Sequence, residues 1–83
     1  INADYAMALC NRAAIYHMQE NYTGALADLE SAVKLQPNNA TALLNRGITR
    51  EMLRNVDGAC EDWQKAYDLG MEKGKEYYIN NCE

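Results

Sequence analysis

The sequence predicts an all-α chain built from two copies of one helix–turn–helix and a closing fifth helix. Three observations carry that reading. Ala, Leu, Glu, Lys, Met and Gln are frequent and Pro37 is the single proline, a balance that favours helix throughout. Turn-like strings, "ENYTG" at 20–24, "QPNN" at 36–39 and "RNVDG" at 54–58, cut the chain into helix-length pieces. The chain also repeats itself: "LCNRAAIYHM" at 9–18 returns as "LLNRGITREM" at 43–52, a shift of 34.

The elements follow in order. A first helix is expected over 3–19, with Asn2 or Asp4 as its cap. A second spans 23–35 and stops before Pro37, because the residue ahead of a proline is pushed out of the helical region. Asn38 or Asn39 caps a third helix over about 40–53. The fourth runs about 57–69, with Gly70 as its stop. The fifth covers about 72–81. A shift of 34 pairs identical residues at twelve positions, including Asn11/Asn45, Arg12/Arg46, Gly24/Gly58, Ala25/Ala59 and Asp28/Asp62. Average composition yields about two or three such coincidences. The helix–turn–helix is duplicated.

A 34-residue helical period is the signature of the tetratricopeptide family, W-x2-L-G-x2-Y, then A-x3-F, then P. The chain resembles that family. Its first copy reads Leu9-x2-Arg12-Ala13-x2-Tyr16, Ala25-x3-Leu29, Pro37; its second reads Leu43-x2-Arg46-Gly47-x2-Arg50, Ala59-x3-Trp63, Met71. Small Ala13 or Gly47 facing Ala25 or Ala59 lets the two helices of a repeat approach, and Leu9, Tyr16, Leu29 and Trp63 fill the space around them. The departures are Arg12 and Arg46, Arg50 in place of Tyr, and Met71 in place of Pro. The resemblance implies a right-handed α-solenoid fragment: one domain over 1–83, repeats at 6–39 and 40–73, and a capping helix at about 72–81. Tyr77 continues the register of Leu9 and Leu43, as a cap over the last apolar face should. The array is expected to end at this cap, with further repeats upstream.

Composition narrows the function. The net charge is −4 and the pI near 4.9, with Lys and Arg scattered, which disfavours nucleic acid and anionic membrane. No apolar run is long enough to span a bilayer. No leader is visible, and the chain begins at Ile1 without Met, as a trimmed or processed chain would. Cys10, Cys60 and Cys82 form no CxxC pair, so zinc has no ligand spacing. His17 is the single histidine. Cys10 precedes it by seven residues on one helix, about 10 Å along the axis, far beyond the ~3 Å reach of a nucleophile and its base. No phosphate loop, HExxH or paired carboxylate appears. No enzymatic role, cofactor or metal is expected.

By the family register the concave groove is lined by Met7, Cys10, Asn11, Ala14, His17 and Met18 from the first copy. Thr41, Leu44, Asn45, Ile48, Glu51 and Met52 line it from the second. Asn11 and Asn45 either hold an extended peptide backbone, donating and accepting, or hydrogen-bond each other and neighbouring helices. The methionines either adapt the groove to varied partners or only pack between helices. Arg12 and Arg46 are expected to pair with Asp28 and Asp62 across each hairpin. Some tetratricopeptide domains grip a chaperone's C-terminal carboxylate with two Asn and several Lys or Arg; here Met7 and Thr41 occupy the Lys places, and that activity is not assigned.

The expected function is non-enzymatic binding of a peptide or partner protein in the groove. The alternative is a structural solenoid segment or self-associating module, with weak homo-oligomers formed through Ile1, Tyr5 and the nearby second helix. Cys60 and Cys82 lie eleven residues either side of Met71, where the last two helices turn, so their sulfurs can meet. That bond would place the protein in an oxidising compartment, periplasmic or extracellular. Otherwise Cys60 is a small buried hydrophobe, Cys82 a terminal thiol, and the compartment cytoplasmic. Cys10 stays free in either case.

Overall fold

The computed structural model describes residues 2–82, and side chains from Asp4 onward. Ile1, expected at the self-association surface, and the side chain of Asn2, a candidate cap, lie outside that range. The described residues form five helices: α1 Asn2–Met18, α2 Tyr22–Leu35, α3 Ala40–Met52, α4 Val56–Asp68 and α5 Glu72–Cys82. They pack as two antiparallel hairpins, α1–α2 and α3–α4, joined through an α2–α3 contact, with α5 laid on α4. The molecule measures 36 × 26 × 16 Å.

The helix ends differ from expectation by about one residue, and the turns explain why. Glu20 adopts φ 60°. Its N–H donates to His17 O at 3.0 Å, and the Asn21 N–H donates to Tyr16 O at 2.8 Å. This double bond is the Schellman closure, which satisfies the last carbonyls of α1. Asn21 then opens α2 at once, its side-chain oxygen accepting from the Gly24 N–H at 3.0 Å. One residue therefore ends one helix and caps the next. The same set recurs 34 residues later, with Arg54 at φ 68° and Asn55 accepting from Gly58 N–H at 3.0 Å. Gly70, at φ 100°, closes α4 in this way. Of the alternative caps for α3, Asn39 accepts from Ala42 N–H at 3.0 Å. Asp4 is not a cap but sits in the first turn of α1, where a negative charge suits the helix dipole.

The core follows the duplicated small residues. Ala13, Ala25 and Leu29 pack together in the first hairpin; Leu43, Leu44, Ala59, Trp63 and Ala66 do so in the second. Ala6, Leu9, Ala32 and Ala42 join the two hairpins. A Cβ on Gly47 would lie 2.5 Å from Trp63 Nε1, so the wider Trp63 in the second copy is matched by the loss of a methyl relative to Ala13. A Cβ on Gly74 would lie 2.6 Å from Trp63 O and 2.8 Å from Tyr67 N, so α5 approaches the α4 backbone directly. Tyr77 stacks on Trp63 with ring centroids 5.2 Å apart, the capping contact its register implies.

Each hairpin carries the expected Arg–Asp pair. Arg12 donates from Nε and Nη2 to Asp28 at 2.7 Å each. Arg46 does so to Asp62 at 2.9 and 2.8 Å. Both carboxylates are buried, so these are more than surface pairs on the acceptor side. Arg50, the second copy's departure from Tyr, uses the space: its Nη1 donates to Asp62 at 3.2 Å and to Gly58 O at 3.3 Å. In the first copy Tyr16 instead receives Arg12 over its ring, 5.7 Å from the centroid.

Cys60 and Cys82 are joined as a disulfide, their Cα atoms 6.0 Å apart. The bond ties the end of α5 to α4 and closes a loop worth about 3 kcal/mol on the chain-entropy scale. Denatured, unreduced protein is expected to expose one reactive thiol, Cys10. A count of three in protein prepared without reductant would overturn the staple.

Candidate interaction groove

The inner helices α1 and α3 stand side by side because α2 bridges the hairpins behind them. Between them lies a cavity of about 260 Å³. Cys10, Ala14, His17 and Met18 of α1 and Asn45 and Ile48 of α3 line it. Ala13, Leu29 and Thr49 complete its wall. The sequence reading missed these three. Thr49 was findable: it stands one turn beyond Asn45, and its hydroxyl donates to Asn45 O at 3.0 Å.

The other register positions lie elsewhere. Met7, Asn11, Thr41 and Met52 are exposed outside the cavity, and Glu51 is half-buried beyond it. Leu44 is a correction to the groove set. It is 7% exposed and belongs to the core cluster of Leu43 and Trp63, against which Tyr77 and Tyr78 of α5 pack. A shallower hollow of about 630 Å³ runs along α4 beside Cys60 and Tyr78, but neither α1 nor α3 lines it.

The cavity's chemistry is apolar with few polar handles. Burial pushes the Cys10 thiol pKa up, which favours the neutral thiol in the cavity wall. The His17 ring meets the Tyr22 ring edge-on at 5.0 Å, and its Nε2 is buried without a hydrogen-bond partner. Among the described residues no side-chain hydrogen bond engages the amide of Asn11 or of Asn45. Asn45 is half-buried and Asn11 exposed, so neither amide is needed to satisfy the fold.

No helix among the described residues is long and apolar enough to cross a membrane. The chain is 35% identical over 71 residues to "Protein SGT1 homolog" of Homo sapiens, covering 86% of this chain and 20% of that protein. The Bos taurus protein of the same name is 35% identical over 66 residues, covering 80% and 20%. "RNA polymerase II-associated protein 3" of Xenopus tropicalis is 36% identical over 59 residues, covering 71% and 9%. The chain thus spans a fifth or less of the relatives it matches. Residues 6–39 match the tetratricopeptide repeat model. With the 34-residue duplication, the paired helical hairpins and the capping α5, that match makes the chain a member of the tetratricopeptide-repeat family.

Proposed function

We propose that the chain is a non-enzymatic interaction module whose groove between α1 and α3 holds an extended peptide or a partner's segment. Tetratricopeptide repeats mediate protein–protein contacts, and the finer reading rests on one observation. Asn45 lines an apolar cavity of about 260 Å³, Asn11 stands exposed on α1 outside it, and the fold leaves both amides unspent. An amide offers both a donor and an acceptor, the pair an extended backbone presents. Ile48, Ala14 and Met18 supply the apolar contact for a side chain. The domain is a single unit of two repeats, 6–39 and 40–73, with α5 as cap. Its compartment follows the thiol count: periplasmic or extracellular with one free thiol, cytoplasmic with three.

The test is selection of binders from a synthetic peptide library on the intact chain, then Asn11→Ala with Asn45→Ala. Binding is expected to fall about tenfold or more, since each charge-neutral hydrogen bond contributes about 1 kcal/mol. The melting midpoint should stay within a degree or two. Unchanged binding would remove the groove assignment. A large loss of stability would mean that the amides serve the fold.

A further inference from the structure

Helix α5 is held to the rest of the molecule at few points. Its one buried residue is Gly74, near its start. Beyond Gly74, Tyr77, Tyr78 and Cys82 are half-buried, and the other residues of the helix are exposed. At 11 residues α5 falls short of the length that makes an isolated helix even marginally stable in water, about 12–15. Its far end is therefore fixed by Tyr77 on Trp63, by Tyr78 and by the Cys60–Cys82 bond. That bond is open to attack from solvent. Both cysteines are half-buried rather than buried, and Cys60 lines the open hollow of about 630 Å³ along α4. Exposed disulfides are the labile ones in thiol exchange.

We propose that the Cys60–Cys82 bond is a redox latch on α5. Oxidised, it holds the far half of the helix on α4; reduced by a dithiol, it frees residues 75–82 and uncovers the ring face of Trp63 on which Tyr77 stacks. In the exchange, one thiolate of the dithiol attacks Sγ of Cys60, the residue that lines the hollow. A mixed disulfide forms, the Cys60–Cys82 bond breaks, and Cys82 leaves as a thiolate that takes a proton. The second thiolate of the dithiol then attacks the mixed disulfide and releases Cys60, which is protonated in turn. Two electrons pass to the protein, and the dithiol ends as a disulfide. Cys10 lines the cavity between α1 and α3 and takes no part. The opening is local. The start of α5 stays anchored, because Gly74 lies against the α4 backbone and its N–H donates to Met71 O at 3.0 Å. The buried residues of the second hairpin's core, Leu43, Leu44, Ala59, Trp63 and Ala66, all come from α3 and α4, so the hairpin keeps its own core. This inference is independent of the groove.

The test measures amide hydrogen exchange of the full chain, oxidised and in excess dithiothreitol. Reduction is expected to speed exchange over residues 75–82 by about tenfold or more, while α1 and α2 keep their protection. Trp63 is the single tryptophan, so its fluorescence reports the same event: quenching by acrylamide should rise on reduction. Oxidised glutathione should restore both readings. Cys82→Ser should match the reduced chain without reductant and not respond to dithiothreitol, which separates release of α5 from any other effect of the reagent. Three results would overturn the proposal. One is a bond that dithiothreitol does not reduce in the folded chain, or that thiol counting finds absent. Another is α5 exchange unchanged by reduction. The third is loss of protection throughout α1–α4, or a Cys82→Ser chain that does not fold, either of which would make the bond a staple for the whole fold.

Discussion

Gly47→Ala is expected to lower stability by about 2 kcal/mol, although alanine is the better helix former. The propensity gain is about 1 kcal/mol. Against it, the new Cβ would lie 2.5 Å from Trp63 Nε1 and 2.8 Å from Cδ1. The indole cannot swing away: Trp63 is 0% exposed and stacked on Tyr77. Overpacking of a tight core costs about 1–3 kcal/mol, and a rigid ring belongs at the upper end. For a domain of this size a net 2 kcal/mol lowers the melting midpoint by roughly 10 °C. The decisive measurement is the pair of changes. Trp63→Leu rebuilds the Ala13–Leu29 geometry of the first copy, so in that background Gly47→Ala should be neutral or stabilising. Strict additivity of the two changes would mean that the close approach does not limit the packing.

Asp62→Ala should cost about 3 kcal/mol, the lower end for breaking a buried charged network. Asp62 is 3% exposed and accepts from Arg46 Nε, Arg46 Nη2 and Arg50 Nη1. Its hydrogen bond is the main cause of the raised Arg46 pKa, with burial pulling the other way. Without the carboxylate two guanidiniums, 17% and 19% exposed, face each other with little water to compensate them. Asp28→Ala should cost clearly less. It leaves Arg12, whose side chain is 59% exposed and readily solvated. Urea unfolding of both variants decides, and equal losses would mean that burial of the arginine partner does not govern the effect. Added salt should leave the Asp62 network nearly unchanged, since screening acts weakly on buried pairs.

The helices, their order and their pairing were legible because the signals are local or periodic. Asn21, Asn39 and Asn55 cap helices by reaching their own next turn, and the duplication at 34 marks which residues do the same work twice. The Arg–Asp pairs were legible for the same reason, since both members recur. The Cys60–Cys82 approach followed from equal distances about one turn. The one-residue errors at the ends of α1 and α3 and the starts of α2 and α4 arose where Glu20 and Arg54 take positive φ, a conformation that no side-chain preference of theirs announces.

The groove was less legible, because periodicity assigns a face but not what covers it. Cys10 and Leu44 share a register position. The first lines the cavity while the second is buried in the core cluster on which Tyr77 and Tyr78 pack. Thr49 and Ile15 share another, and one is hidden while the other is bare. By itself the sequence determined the helices, the repeat and the small-residue contacts inside each hairpin, all set by neighbours a turn or a hairpin away. Only the tertiary structure decided which equivalent positions are core, cavity or open surface, because burial depends on which helix lies alongside, and the two copies have different neighbours.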